Sequence, residues 1–364
     1  MNTKQADVKI VLLPGDGIGP EVTVEAELLM TSLAKEYNVK MQVQTELIGG
    51  IAMDETGEPL PQKTLAACRQ ADAIILGAVG GPQWDDPNSK VRPEQGLLAL
   101  RKELNLYANL RPVRLHPKLA NASPLKPEYL EGVDLMVVRE LTGGSYFGEK
   151  QEGDDFASDA CTYSREEIER VVIKAANIAR ERGGLLTMID KANVLATSRL
   201  WRKVTQDVMT EHYPDVRYEF MLVDAAAMYI VSNPARFDVI VTENMFGDIL
   251  TDEASMLVGS MGMLPSASLG DGSFGLYEPI HGSAPDIVGQ GIANPFGMLA
   301  SVGMMFDYSL GMKEAARRIE LVIWNCISNG ECTPDVGGTL TTSEAGAAVR
   351  KRMGEYFLSQ VAYG

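Results

Sequence analysis

Residues 8–21 read Val-Lys-Ile-Val-Leu-Leu-Pro-Gly-Asp-Gly-Ile-Gly-Pro-Glu, and this stretch decides the class of the fold. The apolar run over 8–13 has the length of a buried strand, and Pro14-Gly15 ends it. Apolar residues over 21–37 then follow helical spacing, which predicts a helix. The stretch therefore indicates a strand, a glycine turn and a helix in succession.

The same order recurs along the chain. Short apolar runs that end at a polar or glycine residue occur at 73–76, 134–138, 185–189 and 237–242. Ser164 and Glu167 form a capping box that begins a further helix, and Gly183-Gly184 ends that helix. Residues 145–163 are polar and have no helical period, which indicates an extended arm or loop. The alternation predicts an α/β fold, a layered sheet with flanking helices.

The composition is that of a folded soluble protein. The 364 residues suggest two domains at about 150 residues per domain, and 45% apolar with 23% charged residues is ordinary for a globular chain. With 33 Lys and Arg against 49 Asp and Glu, the net charge is −16, which argues against a general binder of nucleic acid or anionic membrane. An anionic ligand must therefore meet a local basic cluster.

Cysteine content and the N-terminal sequence predict a cytoplasmic protein. Four cysteines, none in a C-x-x-C pair, are too few for a disulfide scaffold. Residues 1–13 pass from a polar lead into the first strand without the apolar region of an export signal. The longest uncharged stretch, 287–306, contains four glycines and is a poor membrane span.

The glycine turn has two interpretations. Its glycines allow backbone amides to approach a phosphate or a flat ring closely. Pro20 stands where the Rossmann fingerprint G-x-G-x-x-G requires glycine, so that cradle is not indicated. A tight strand-to-helix turn with Pro20 near the first helical position explains the segment equally well.

A pair of aspartates is a candidate cation site. Asp248 and Asp252 follow an apolar strand and lie four residues apart, so they share one face of a helix. A divalent cation relieves their repulsion, and hard oxygen ligands favour Mg²⁺ or Mn²⁺. Asp224, just past another strand, is a plausible third ligand. The alternative is that the pair simply complements the helix macrodipole.

Other candidate side chains are basic or phenolic. Lys191 ends a strand at the edge where open α/β sheets bind ligands, and near a metal it can serve as a general base. Tyr146 can donate a phenolic proton. Arg101, Arg111 and Arg139 can hold two carboxylates bidentately if the fold brings them together. Taken singly, each of these residues is more simply explained as surface or packing.

Residues 278–287 form a glycine- and proline-rich loop that either carries function or only connects elements.

Five motifs occurring together resemble the metal-dependent β-decarboxylating dehydrogenases, the isocitrate/isopropylmalate dehydrogenase family. They are residues 14–21, 139–148, 190–194, 246–252 and 281–287. The likeness covers nearly the whole chain, and its specificity comes from the five motifs in the family's order.

The resemblance implies a two-domain fold that is not of the Rossmann type. The larger, cofactor-binding domain is expected over 1–106 and 259–364, and the substrate and dimerisation domain over 107–258. A homodimer is implied, with an arm near 150–163 at its interface. Each active site is then shared between two subunits.

The resemblance also implies roles for the side chains. It assigns carboxylate binding to Arg101, Arg111 and Arg139, the metal to Asp224, Asp248 and Asp252, and proton transfer to Lys191, Tyr146 and Asp224. Lys191 and Asp224 are expected to reach in from the neighbouring subunit. The implied reaction passes hydride from C2 of a hydroxy diacid to a nicotinamide, and the C3 carboxylate then leaves as CO₂ while the metal stabilises the enolate.

The implied substrate is 3-isopropylmalate, converted to 4-methyl-2-oxopentanoate in leucine biosynthesis. Isocitrate dehydrogenases carry serine and asparagine where this chain has Leu97 and Leu98. These leucines and Val194 favour an isopropyl group over a third carboxylate, because an unpaired carboxylate is costly to bury. The alternative is that both leucines belong to the core of their helix.

The implied cofactor is NAD. Asp286 can accept hydrogen bonds from a ribose 2′-hydroxyl and would repel the 2′-phosphate of NADP. Expected adenosine contacts are His281, Gly282, Ser283, Ala284, Pro285, Asp286, Ile287 and Asn294. Expected contacts on the nicotinamide side are Gly80, Gly81 and Glu94.

Other functions remain open at this point. A related enzyme of the family would act on malate, tartrate or homoisocitrate. A metal-dependent hydrolase would use the three aspartates without a nicotinamide. A non-catalytic protein would bind NAD and turn over nothing.

Overall fold

The computed structural model describes residues 7–86, 89 and 91–363, with side chains described up to residue 356. The polar lead over residues 1–6 therefore lies outside the described residues. The strands are β1 (Asp7–Gly15), β2 (Lys40–Thr45), β3 (Ala73–Ala78), β4 (Ala108–Arg114), β5 (Asp134–Glu140), β6 (Lys150–Glu152), β7 (Ala157–Asp159), β8 (Leu185–Asp190), β9 (Arg217–Leu222), β10 (Val239–Thr242), β11 (Pro265–Leu269) and β12 (Gly275–Pro279). The helices are α1 (Gly19–Glu36), α2 (Gly50–Thr56), α3 (Gln62–Cys68), α4 (Pro93–Glu103), α5 (Arg165–Glu181), α6 (Ala196–His212), α7 (Val223–Ser232), α8 (Asn244–Ser255), α9 (Phe296–Tyr308), α10 (Lys313–Ser328) and α11 (Thr342–Tyr363).

The local predictions are largely confirmed. β1 and α1 flank the glycine turn, and Pro20 lies in the first turn of α1. The capping box is present: Glu167 N–H donates to Ser164 Oγ at 3.2 Å, and Ser164 N–H donates to Glu167 Oε2 at 2.7 Å. β10 begins two residues later than predicted, because Phe237 follows a 3₁₀ turn over Pro234–Arg236.

The structure divides into two compact units, one of Met1–Leu104 with Ser260–Gly364 and the other of Asn105–Gly259. In the first unit the strand order is β2-β1-β3-β12-β11. The neighbours are parallel except for the antiparallel pair β11 and β12. α1 and α9 pack on β3, and α9 buries Phe296 and Phe306 completely.

The second unit has the strand order β4-β5-β10-β8-β9. β4 is antiparallel to β5, and the other four strands are parallel to one another. Their carboxyl ends therefore meet at one edge, and open α/β sheets bind ligands at that edge. Residues 139–140, 190–191, 222–224 and 242–244 lie there.

The predicted arm contains the antiparallel hairpin of β6 and β7, whose residues are exposed.

The predicted α/β class, a layered sheet with flanking helices, is confirmed in both units. The four cysteines form no disulfide bond with one another. Among the described residues, no helix has the length and apolar character that crossing a bilayer requires.

Candidate active site

Asp248 is the centre of a cluster at the carboxyl edge of the second unit's sheet. The Tyr146 hydroxyl, from the turn after β5, donates to Asp248 Oδ2 at 2.7 Å. The guanidinium of Arg139, at the end of β5, donates to Asp248 Oδ1. It also lies 5.7 Å from the centroid of the Tyr146 ring. A phenol, a carboxylate and a buried guanidinium thus form one hydrogen-bonded group.

The electrostatics of this cluster keep the Tyr146 phenol protonated and the Asp248 carboxylate charged. Burial, together with the hydrogen bond to Asp248, raises the pKa of the Tyr146 phenol to about 12. Burial also opposes ionisation of Asp248, but Arg139 and the Tyr146 hydrogen bond outweigh it and hold the Asp248 pKa below its usual value. At neutral pH the phenol is therefore protonated and the carboxylate ionised.

Asn244 fixes the orientation of Arg139. Its Oδ1 accepts from Arg139 Nε at 3.0 Å and from Nη2 at 2.8 Å. Its Nδ2 donates to the Gly143 carbonyl at 3.1 Å, and its own N–H donates to the Tyr163 hydroxyl at 3.0 Å. Because Asn244 is fully buried, these bonds leave the guanidinium little freedom to rotate.

Arg111 on β4 has a similar set of neighbours. Its Nε donates to Asn109 Oδ1 at 2.8 Å and its Nη1 to Thr251 Oγ1 at 2.9 Å. Its Nη1 also lies 3.6 Å from Asp252 Oδ1. Asp248 and Asp252 do share α8, as predicted, and each carboxylate has an arginine beside it.

Lys191 and Asp224 form a second group at the same sheet edge. Lys191 follows β8, Asp224 lies in the first turn of α7, and Lys191 Nζ is 2.6 Å from Asp224 Oδ1. The hydrogen bond from Lys191 lowers the pKa of Asp224. The backbone of Lys191 is held by its N–H bond to Ser198 Oγ at 3.0 Å. A lysine and an ionised carboxylate are thus paired, with both side chains accessible.

Arg101 belongs to the first unit, where it pairs with Glu278 near the end of β12. Its Nη2 lies 2.5 Å from Glu278 Oε1, and both side chains are about nine-tenths buried. The Nε of Arg101 is buried and has no hydrogen-bond partner among the described residues. Burial of an unpaired donor is unfavourable, so this nitrogen is suited to an anionic ligand.

The predicted specificity residues lie at the surface rather than in the core. Leu97 and Leu98 on α4 are half-buried, whereas Leu100 of the same helix is completely buried. Val194 is 63% exposed. The two leucines therefore present apolar surface that a ligand can cover.

The glycine turn contacts protein backbone. Gly17 has φ of +57°, and a Cβ there would lie 2.1 Å from the Ser283 carbonyl oxygen. A Cβ at Gly19 would lie 2.1 Å from the Pro14 carbonyl oxygen. These glycines let one segment of chain approach another, which favours the tight strand-to-helix turn over a phosphate cradle.

The loop after β12 combines strain with buried polar groups. Ala284 has φ of +40°, a conformation that residues other than glycine rarely adopt. Burial lowers the pKa of His281, and its Nε2 has no partner among the described residues. Asn294 is buried, and its Nδ2 donates to Asp335 Oδ2 at 2.9 Å. Asp286 is exposed. Such a loop has the features of a ligand contact.

A family model described as isocitrate/isopropylmalate dehydrogenase matches residues 9–349. The chain belongs to the isocitrate/isopropylmalate dehydrogenase family. It is therefore a dehydrogenase, and the family recognised from the five motifs is confirmed.

Relatives in this family are similar over nearly their whole length. The 3-isopropylmalate dehydrogenase of Rhodopirellula baltica is 54% identical over 349 residues, which cover 93% of this chain and 97% of that protein. The 3-isopropylmalate dehydrogenase of Bacillus subtilis is 53% identical over 334 residues, 90% of this chain and 91% of the relative. The crystal structure of isocitrate dehydrogenase from Methylococcus capsulatus aligns with a TM-score of 0.83 at 34% identity, covering 95% of this chain and 99% of that one.

In this dehydrogenase seven of the side chains predicted from sequence form three groups, and Arg101 pairs instead with Glu278. Tyr146 and Arg139 meet at Asp248, Arg111 meets Asp252, and Lys191 meets Asp224. Among the described residues, no group of three or more histidine, cysteine, aspartate or glutamate side chains is placed to hold a metal ion. Within one chain, Asp248 and Asp252 of α8 therefore form a pair of oxygen donors without a third acidic ligand among the described residues.

Three residues that hold the candidate arginines were not predicted from the sequence. Asn244 accepts from Arg139, Thr251 accepts from Arg111, and Glu278 pairs with Arg101. Asn244 and Thr251 lie on the same helix as the two aspartates, and Asn244 comes just after the end of a predicted strand. Its position at that strand end is a signal that could have singled it out.

Proposed function

We propose that this dehydrogenase converts 3-isopropylmalate to 4-methyl-2-oxopentanoate and CO₂, with NAD and Mg²⁺ or Mn²⁺, as a step of leucine biosynthesis. The observation that carries the proposal is the cluster of Tyr146, Asp248 and Arg139, in which a protonated phenol and an ionised carboxylate lie beside a fixed guanidinium. The names of the relatives from R. baltica and B. subtilis support the same substrate.

Substrate binding is assigned to the three arginines and the two half-buried leucines. Asn109 and Thr251 hold Arg111, Asn244 and Asp248 hold Arg139, and Arg101 has a buried Nε without a partner among the described residues. These three guanidiniums are proposed to bind the substrate carboxylates. Covering Leu97 and Leu98 with an isopropyl group gains about 0.8 kcal/mol for each CH₂ removed from water. A third carboxylate at the same place would lose its hydration without gaining a partner.

The donor set on α8 fits a hard divalent cation. Asp248 and Asp252 offer carboxylate oxygens from one helix face, and Asp224 of the neighbouring subunit is proposed as the third ligand. These carboxylates would hold a cation whose chemistry would be to lower the pKa of the substrate hydroxyl and to stabilise the negative charge left by the departure of CO₂.

The chain's own residues carry the proton transfers. Lys191, beside Asp224, would take the proton of the C2 hydroxyl, and bound NAD would accept the hydride that C2 loses. Loss of the C3 carboxylate as CO₂ leaves an electron pair on C3, and the Tyr146 phenol supplies the proton that this carbon requires. Each positioned proton donor or acceptor contributes roughly 10²- to 10⁴-fold to the rate.

The choice of NAD rests on Asp286 and the loop around it. An exposed carboxylate at this position accepts hydrogen bonds from a ribose 2′-hydroxyl, whereas it repels the 2′-phosphate of NADP. Residues 281–287 with Asn294 are proposed to bind the adenosine half. Gly80, Gly81 and Glu94 are proposed to contact the nicotinamide half.

The proposal includes a homodimer that shares its active sites. α7 and α8 present an apolar surface made of Met228, Tyr229, Val231, Met245 and Ile249, all of them exposed in the single chain. Exposed apolar patches of this kind are typical of association sites. The β6–β7 hairpin is proposed as the intersubunit arm. A cytoplasmic location is proposed as well, since the four cysteines form no disulfide bond with one another.

A spectrophotometric panel tests the function. 3-Isopropylmalate, malate, tartrate, homoisocitrate and isocitrate are each supplied with NAD or NADP, with and without EDTA. We expect the highest kcat/KM for 3-isopropylmalate with NAD, and loss of NADH formation in EDTA. A higher kcat/KM for another acid would assign the chain to a different substrate. Binding of NAD with no turnover of any acid would refute the enzymatic proposal.

A further inference from the structure

We propose that Asp16 is a positioning residue for the cofactor: from the glycine turn, it holds the backbone of the loop that contacts the nicotinamide half of NAD. This inference rests on the proposed function, because the NAD-binding roles of residues 80–81 and 281–287 are part of that function. Asp16 itself touches no cofactor in the proposal.

The carboxylate of Asp16 accepts three hydrogen bonds from backbone donors of two segments. Its Oδ2 accepts from Gly80 N–H at 2.7 Å and from Gly50 N–H at 2.8 Å. Its Oδ1 accepts from Ile51 N–H at 2.8 Å. The side chain is only 3% exposed. One buried carboxylate therefore connects the first turn of α2 to the segment that contains Gly80 and Gly81, which we call the Gly80 loop.

The loop that Asp16 holds has little conformational support of its own. Gly80 has φ of +99°, and a Cβ there would lie 2.4 Å from Glu94 Oε1. Gly81 follows with extended backbone and begins a 3₁₀ turn over Pro82–Trp84. A glycine pair has many accessible conformations, so an external anchor is needed to select one.

The same turn holds the second cofactor loop through a separate contact. Ile18 N–H donates to the Ser283 carbonyl at 2.9 Å, and Gly17 lies against the Ser283 backbone with no space for a Cβ. Asp16 N–H donates to the Ala78 carbonyl at 2.8 Å, which fixes the turn on the end of β3. Neighbouring residues of one turn thus position two loops, each through its own set of bonds.

Because the two loops are held by separate bonds, loss of the Asp16 carboxylate should weaken binding of the nicotinamide half alone. A general loss of stability would weaken binding of both halves of NAD. Asp16→Asn removes the negative charge that strengthens all three hydrogen bonds and puts an amide NH₂ opposite at least one backbone N–H, so the hold on Gly80 weakens. We expect the Kd for NAD to rise roughly 10- to 100-fold, the effect of losing a hydrogen bond to a charged group. The Kd for ADP-ribose, which lacks the nicotinamide, should stay unchanged.

Gly17→Ala is the comparison variant that disturbs the adenosine loop. Its new Cβ would collide with Ser283 and not with Gly80. We expect this variant to bind ADP-ribose and NAD with a similar loss of affinity. Glu25→Gln is the matched control, since Glu25 is a buried carboxylate of the same unit that pairs with Arg350, and it should leave both affinities at the wild-type values.

The experiment is isothermal titration of the full-length enzyme with NAD and with ADP-ribose. Hydrogen exchange of the peptide that contains Gly80 is measured alongside. Faster exchange at Gly80 with a selective loss of NAD affinity in Asp16→Asn supports the inference. An unchanged Kd for NAD, or an equal loss for NAD and ADP-ribose, overturns it. If Asp16→Asn does not fold, Asp16→Ser is titrated under the same criteria. Failure of the wild-type enzyme to bind NAD would instead refute the proposed function.

Discussion

At the scale of single residues, Lys191 is the most direct test of the proposed chemistry. Lys191→Met removes the proton acceptor and its pairing with Asp224. We expect kcat to fall by roughly 10²- to 10⁴-fold while NAD binding and the dimer are retained. Steady-state kinetics and sedimentation measure both properties. Lys203→Met on the exposed face of α6 is the control and should keep full activity. Near-normal turnover in Lys191→Met would remove Lys191 from the mechanism.

Asn244 gives a second prediction at this scale. Asn244→Ala deletes the acceptor of two hydrogen bonds from Arg139, so the guanidinium is no longer fixed. We expect kcat/KM for 3-isopropylmalate to fall roughly 10- to 100-fold, with the KM for NAD unchanged. Ser301→Ala removes a buried hydroxyl elsewhere and serves as the control for loss of stability. An equal change in the KM for both substrates would contradict a positioning role.

The residues at strand ends could be predicted from sequence, but their partners could not. Lys191, Asp224 and Arg139 each lie at the end of an apolar run, and topology brings the ends of parallel strands to one edge. Arg139 and Asn244 are 105 residues apart, and Arg101 and Glu278 are 177 apart. Pairings at such separations depend on packing of the whole unit, and no local pattern encodes them.

At the scale of elements, the start of α5 gives a stability prediction. Ser164→Ala removes the oxygen that caps the Glu167 N–H. We expect the free energy of unfolding to fall by about 0.5–2 kcal/mol with kcat unchanged. Denaturant titration measures this difference. Ser32→Ala, at an exposed position inside α1, should change stability by less than about 0.5 kcal/mol. Equal effects of the two substitutions would show that the cap contributes nothing.

Glu243, which caps α8, gives a pH prediction. Burial raises its pKa above the ordinary 4.5, despite the hydrogen bond from Phe246 N–H. Its protonated form therefore contributes stability that is complete below the unfolded pKa and is lost as pH rises through the folded pKa. We expect the unfolding free energy of the wild type, relative to Glu243→Gln, to fall as pH rises above about 4.5, by at most about 1.4 kcal/mol per pH unit. Urea titrations between pH 4.5 and 7.5 measure it, and a rise would contradict the assignment.

The helices and strands themselves follow from local patterns. The capping box and Gly183-Gly184 define α5, because both features act over a few residues. The glycine turn was ambiguous, since its use depends on Ser283, far along the chain, which fills the space beside Gly17. Local sequence thus determines where helices and strands begin and end. Whether a glycine turn binds a ligand or packs against another segment depends on residues far along the chain.

At the scale of the whole molecule, the proposed active site requires two copies of the chain. Asp248 and Asp252 supply two carboxylates from α8, and the apolar surface of α7 and α8 is open in one chain. No pattern within one sequence says which copy a side chain serves. The sharing of Lys191 and Asp224 between subunits therefore comes only from the family resemblance and remains a prediction.

Subunit complementation tests this claim most directly. Lys191→Met and Asp252→Asn chains with different tags are co-expressed, and the heterodimer is purified. If sites are shared, one of its two sites contains only wild-type residues, so we expect about half of the wild-type activity from two parents that are each inactive. A heterodimer as inactive as both parents would show that Lys191 and Asp252 serve the same site from one chain.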